Sequence, residues 1–171
     1  MSENTPWHAG EVALQHSVGV AERMSEIGRR TIRDHLIEQH RDFYPLLPMV
    51  VLGSVDRQGD PWATLRTGYP GFLHAPDEHH LRLDLGRDAQ DPAEAGLDDG
   101  GSVALLGIDL WTRRRNRLNG TVLRDDEGFT LRVAQSFGNC PKYIQRRDYV
   151  FVGDPGSPSQ ALPSDQFALT G

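Results

Sequence analysis

Through the middle of the chain, apolar and polar residues alternate in short runs, the period-two pattern of strands that bury one face. The run Phe129, Leu131, Val133 against Thr130, Arg132, Ala134 is the clearest case, and Leu81, Leu83, Leu85 against Arg82, Asp84, Gly86 is a second. Met49–Val55 (MVVLGSV) and Trp62–Thr67 (WATLRT), separated by the polar turn Asp56-Arg57-Gln58-Gly59-Asp60, read as a hairpin. Val103–Leu110 is apolar at nearly every position and predicts a strand buried on both faces. Asn116–Arg124 follows as its neighbour, and Asp125-Asp126-Glu127-Gly128 joins that strand to the one starting at Phe129.

The N-terminal quarter has another period. Val20, Met24 and Ile27, then Ile32, Leu36 and Ile37, recur at helical intervals and predict helix from Ser17 to His40, broken at Gly28 and ended by Pro45 and Pro48. Residues 1–10 read as an unanchored lead. Asp88–Gly101, acidic and poor in large apolar residues, predicts a loop with one helical turn at Pro92–Leu97. A short helix is expected from Pro141 and a last short strand at Tyr149–Val152.

Six or seven short strands, several hairpins and no strand–helix alternation predict a mainly β fold. The expected architecture is an antiparallel sheet closed into a small barrel, with an N-terminal helical segment. The organisation expected is a helical lead over 1–45, a barrel over 46–150, and a tail or linker over 151–171. A barrel of this size fills itself with side chains, so a ligand is expected outside it or between subunits.

Composition narrows the function. At 171 residues with 37% hydrophobic and 25% charged content, the chain is an ordinary globular protein of one domain. Its formal net charge of −6 argues against broad nucleic-acid or anionic-membrane binding. One cysteine, Cys140, excludes an internal disulfide. The N-terminus carries no signal-like run and no segment reaches membrane-spanning length, so a cytoplasmic location is the default expectation.

Against that acidic background, Arg113, Arg114, Arg115 and Arg117 stand out as four arginines in five positions. Arg113, Arg115 and Arg117 share parity with Asn119, and a row of guanidinium forks suits a phosphate; pairing with the acidic Asp88–Asp99 loop is the plainer alternative. Gly138-Asn139-Cys140-Pro141 is a second candidate, because a helix starting at Pro141 would offer free N–H groups to an anion. Cys140 has no histidine near it in sequence, so a small residue beside a ligand is expected rather than a nucleophile. The histidines show no ligand spacing and no metal site is expected. Trp62, Tyr69, Phe72 and Trp111 are candidates for an aromatic platform or for core. Neither GxGxxG nor GxxxxGK[ST] is present.

Taken together, the helix, MVVLGSVD, GDPWATLRTGYPGFL, LRLDL, VALLGIDLWTRRRNRLNG and FTLRVAQSFGNCPKYIQ resemble the pyridoxamine 5′-phosphate oxidase-like split-barrel family, in its bacterial branch with RRRNRxNG and QSFGNCPKYIQ. The resemblance spans about Gly10 to Gln145. It implies a Greek-key split barrel and a homodimer with FMN in the groove between subunits. By that resemblance Ala63, Thr64, Leu65, Arg66 and Thr67 touch the flavin ring and phosphate, Gly71 and Phe72 border the ring, and Asp84 adds a polar contact. Arg115, Arg117 and Asn119 belong near the phosphate, and Asn139, Cys140 and Pro141 approach from the last motif.

The function implied is FMN-dependent oxidoreduction of a small acceptor, with NAD(P)H or a flavin reductase partner as donor and no side chain singled out as a catalytic acid or base. A non-catalytic flavin carrier or sensor is the alternative, and a nucleic-acid-binding β-barrel a more distant one. LDLGRDAQD offers only Arg87 where the oxidases hold phosphate with a basic pair, and their C-terminal substrate elements are not recognisable. Oxidation of pyridoxamine phosphate itself is therefore not expected. Relatives continue into a further module, which predicts a longer parent protein.

Overall fold

The computed structural model describes residues 5–138, 140–155 and 157. Seven antiparallel strands form one sheet: β1 Met49–Val55, β2 Pro61–Thr67, β3 Leu73–His74, β4 His80–Leu83, β5 Ser102–Asp109, β6 Arg114–Arg124 and β7 Phe129–Gly138. Their order is β2-β1-β5-β6-β7-β4-β3. The sheet wraps around a single core that includes Leu52, Leu81, Leu105, Leu118, Phe129 and Leu131. Burying apolar surface from both ends of the sheet in one cluster is what curls it, and the result is a split barrel with β2 and β3 as its two edges.

The alternation anticipated for β7 holds with one interruption. Phe129, Leu131 and Val133 face inward, but so does Ser136, because the register with β6 shifts between Asn119 and Gly120. Ala134 is the extra residue of a bulge, and it is exposed. Gly120 sits where the strands press together: a Cβ there would lie 2.3 Å from the Arg132 carbonyl oxygen.

Several sequence-based expectations are corrected. β5 buries one face, not two. Val103, Leu105 and Gly107 point inward, while Ala104, Leu106 and Ile108 lie on the outer face of the sheet. The N-terminal helix is two helices, α1 Ala9–Ser17 and α2 Ala21–Thr31, and they part at Gly19 (φ +70°), not at Gly28. Gly28 lies inside α2 because Trp7 packs on it; a Cβ there would meet Trp7 Nε1 at 2.7 Å. Trp7 Nε1 donates to the Met24 carbonyl, His8 caps α1, and the Pro6 carbonyl accepts from Gln135 Nε2, so the lead is anchored.

Beyond α2 the helical spacing of Ile32, Leu36 and Ile37 is overridden by docking. Arg33 exchanges backbone hydrogen bonds with Ser136, Leu36 N donates to the Glu78 carbonyl, and the Leu36 side chain is wholly buried. A short helix, α3 Glu38–Arg41, and a 3₁₀ turn, Tyr44–Leu46, then deliver Tyr44 into the core. Finally, no helix starts at Pro141. One turn closes through Ile144 N to the Pro141 carbonyl, after which Arg147 N bonds to Leu110, and Tyr149–Val152 runs outside the sheet. Asn139 lies outside the described residues, as do residue 156 and residues 158–171 of the anticipated tail. Among the described residues no helix is long and apolar enough to cross a membrane.

Candidate functional site

The open seam of the barrel lies between β2 and the segment that leaves β4. A cleft of 660 Å³ fills it, lined by Thr64–Thr67 on one side, Asp84–Asp88 on the other, and Asp154 and Pro155 at its mouth. Five of the residues singled out from the sequence meet here: Thr64, Leu65, Arg66, Thr67 and Asp84.

Pairing with β1 fixes which way β2 presents them. Arg66 and Thr64 sit opposite Val50 and Leu52, whose side chains are buried, so both turn toward the barrel interior. Thr67, Leu65 and Ala63 turn outward.

Arg66 is held at the cleft floor by a buried ion cluster. Its Nη1 donates to Glu94 at 2.6 Å and its Nη2 to the Gly86 carbonyl at 2.7 Å. Glu94 also accepts from Arg124 Nη2 at 3.0 Å, and Arg87 stands 3.9 Å away. The side chains of Arg66, Glu94 and Arg124 are only 13%, 9% and 7% exposed. Burial pulls the Arg124 guanidinium below its ordinary range, with the Glu94 carboxylate opposing that shift. Glu94 is presented by the 3₁₀ turn Pro92–Gly96, capped by Asp91 and fitted against β1 so closely that Gly96 would clash with Val55 if it carried a Cβ.

The acidic loop thus finds its cations in Arg66, Arg87, Arg124 and Arg57, the last bonded to Asp98 at 3.2 Å. Arg113–Arg117 are not its partners. Pairing with Arg87 and Arg57 holds the Asp98 carboxyl below the usual range. No run of the sequence marked Glu94 for burial; its one clue is the proline-led turn that carries it.

A second region is the outer face of the sheet. Register aligns three rows across it: Ala63, Gly53, Ala104, Asn119, Gln135; then Leu65, Val51, Leu106, Arg117, Phe137; then Thr67, Met49, with Ile108 opposite Arg115 on the next strand pair. Arg117 and Leu65 therefore share a face, but three strand spacings, about 14 Å, separate them. Asn119 is tied down, donating to Gln135 at 2.9 Å. Leu65 is 57% exposed, so this face is both apolar and open.

The third region is a pocket of 250 Å³ where β5 turns into β6. Asp109 closes the turn by accepting from Trp111 N and from the Thr112 hydroxyl. Arg113 then takes a left-handed conformation (φ 58°) and leaves the strand row that parity assigned to it. Arg115 also departs from its outward neighbours. Its Nη2 donates to the Cys140 carbonyl at 3.2 Å, and its Nε is buried without a partner. Pro141 and His40 line this pocket, while Cys140 is exposed.

Below the pocket lies a buried polar network. Tyr44 Oη donates to Asn116 Oδ1, and the Ser136 hydroxyl stands 3.0 Å from His40 Nδ1 and 3.5 Å from Asn116 Oδ1. Burial holds the His40 imidazole below its ordinary pKa, with the Arg33 and His35 charges adding to the effect, and burial raises the Tyr44 phenol.

The candidate residues near β3 do not join any of these sites. Phe72 is in the core, its ring filling the space beside Gly68, and Gly71 (φ 103°) makes the exposed turn before it. The proposed aromatic platform is dispersed. Trp62 Nε1 donates to Asp56, Tyr69 packs on Phe151, and Trp111 lies under the Arg146 guanidinium at 3.6 Å.

The family profile described as pyridoxamine 5′-phosphate oxidase matches residues 36–155. None of the curated proteins matches. Some solved structures resemble this chain at low identity. HupZ of Group A Streptococcus is 14% identical over 60% of this chain and 93% of its own, with a TM-score of 0.47. A protein of Lactobacillus delbrueckii described as a pyridoxamine 5′-phosphate oxidase is 19% identical over 61% and 95%, at 0.48. An F420 reductase is 12% identical over 61% and 97%, at 0.39.

Proposed function

The chain belongs to the pyridoxamine 5′-phosphate oxidase family, and on that footing we propose that it is an FMN-binding oxidoreductase acting on a small acceptor. The observation that carries the reading is the cleft in the barrel seam. Its 660 Å³ lies within the usual range of cofactor sites, and it gathers Thr64, Leu65, Arg66, Thr67 and Asp84 without any covalent or metal chemistry of its own.

The donor set suits a flavin in two parts. Thr64 offers a hydroxyl to a polar ring edge, Thr67 offers one that can accept while it donates to the Pro155 carbonyl at 2.9 Å, and Leu65 offers apolar surface. The phosphate is less well served by the cleft alone. Arg66 is committed to Glu94 and Gly86, and Asp84, Asp88 and Asp91 line the walls beside Arg87. A dianion there needs further positive charge.

Arg117 carries that charge on the same open apolar face as Leu65, about 14 Å away across the sheet. A second copy of the chain, laid face to face on the outer sheet, brings its Arg117 to the first copy's cleft and covers Leu65, Leu106 and Ala104. The functional unit in this reading is a homodimer with two shared sites. In it Ala63 and Asn119 lie at the covered face. When bound, FMN supplies the hydride and electron transfer, which no side chain here can supply. The chain's own residues bind it, orient it and exclude water from its ring.

The test is the absorption spectrum of the purified protein, followed by heat release and identification of any yellow chromophore, with the mass in solution measured alongside. Released FMN near one per chain in a dimer is the expected result. A colourless protein that takes up no added FMN overturns the reading. Turnover of NAD(P)H with an artificial acceptor then separates an enzyme from a carrier.

A further inference from the structure

We propose that the pocket at the β5–β6 turn is a second ligand site, separate from the flavin cleft, that binds a phosphate group. The cleft and this pocket share no lining residue. They also differ in charge. The cleft walls carry several aspartates, whereas three arginines, Arg113, Arg114 and Arg115, line the pocket and no carboxylate does among the described residues.

Charge alone would leave a solvated turn as an adequate explanation. What distinguishes the pocket is an unsatisfied donor at its base. Asn116 is 3% exposed, lines the pocket, and its Nδ2 has no hydrogen-bond partner. Its Oδ1 accepts from Tyr44 Oη; turned over, the amide would donate to that oxygen and leave the buried Tyr44 O–H without its acceptor, so one donor stays unpaired either way. Leaving a buried donor unpaired costs about 1–3 kcal/mol, and native proteins keep few such groups.

Arg115 adds a second donor, Nε, which is also buried and unpaired, while its Nη2 is anchored on the Cys140 carbonyl. Arg114 is steadied by Thr112 through Nε, pairs with the Asp109 carboxylate at 3.7 Å and lies 5.5 Å over the Phe43 ring, which leaves Arg113 and Arg115 as the pocket's arginines without a carboxylate partner among the described residues. Arg113 is exposed and held in a left-handed conformation that favours glycine or asparagine over arginine. Two buried N–H donors from adjacent residues, ringed by guanidinium groups, match the several acceptor oxygens of a phosphate better than the two of a carboxylate.

The experiment is thermal denaturation of the full chain, with and without saturating FMN, titrated with inorganic phosphate or acetate at constant ionic strength. Asn116→Asp replaces the donor with an acceptor yet still accepts from Tyr44; Arg113→Ala alters only an exposed turn residue. A saturable rise in melting temperature with phosphate is expected, and it persists when FMN is saturating. In Asn116→Asp the apparent affinity falls about tenfold or more, and Arg113→Ala weakens it several-fold, with FMN uptake unchanged in both. If Asn116→Asp fails to fold, Arg113→Ala decides. A shift that never saturates, or is equal in both variants, overturns the proposal. So does a shift abolished by FMN, which would make this the seat of the flavin phosphate, or a larger shift with acetate than with phosphate.

Discussion

The Tyr44 hydroxyl donates to Asn116 Oδ1 at 2.5 Å across 72 positions of sequence, with Tyr44 wholly buried. This bond locks the 3₁₀ turn after α3 onto the start of β6, and through Asn116 it sets the floor of the arginine-lined pocket. Removing the hydroxyl leaves Asn116 Oδ1 with only the long contact to Ser136. Tyr44→Phe is therefore expected to destabilise the fold by about 1–3 kcal/mol, read as a lower urea midpoint with unchanged slope.

Acidification acts through His40. Burial depresses its folded-state pKa, so below the unfolded value of about 6.5 the unfolded chain binds more protons than the native one. The stability this contributes is full above that pH and is lost as pH falls toward the depressed folded value. His40→Gln should flatten the stability profile between about pH 7 and 5, where the parent slope is at most about 1.4 kcal/mol per pH unit. A profile identical to the parent's would show that His40 does not carry it.

Glu94 balances Arg66 and Arg124 in a setting where all three are nearly dry. Glu94→Ala strands two buried cations and is expected to cost about 3–5 kcal/mol. Denaturant melts of the variant check the size; a loss below about 1 kcal/mol would mean that water reaches the cluster freely.

Gly28→Ala would be stabilising by helix propensity alone, by roughly 0.8–1 kcal/mol. Here the added methyl meets Trp7 at 2.7 Å and Pro6 at 2.8 Å. The lead should undock, breaking the Gln135 Nε2 bond to the Pro6 carbonyl as well. A red shift of tryptophan emission that is absent from Trp7→Phe carrying the same change reports it.

How much of this was legible depends on whether a residue's partner is near it in sequence. The hairpins were, because alternation and turn residues are local: Met49–Val55 and the Asp56–Asp60 turn stand where the pattern put them. Ile32 and Leu36 were misread because helical spacing and an extended segment docking one apolar side chain look alike, and the deciding partners, Ser136 for Arg33 and Glu78 for Leu36, lie about a hundred and about forty residues away, respectively. Trp7 was missed for the same reason, its seat being a glycine in another helix. Within the candidate site, Thr64, Leu65, Arg66, Thr67 and Asp84, named from the resemblance, line one cleft, whereas the departure of Arg113 from the row of Arg115 and Arg117 was not legible. Parity holds only inside a strand, and the turn's left-handed residue ends it.

The bulge in β7 also governs how the strand can change its length. Ala134 is the surplus residue, so its deletion leaves Val133 and Ser136 facing inward and Gln135 outward. Removal of a residue inside a regularly paired stretch, such as Thr130, instead puts one part of the strand out of phase with its partners. The bulge at Ala134 is thus a place where β7 can lose a residue while both of its halves keep their faces.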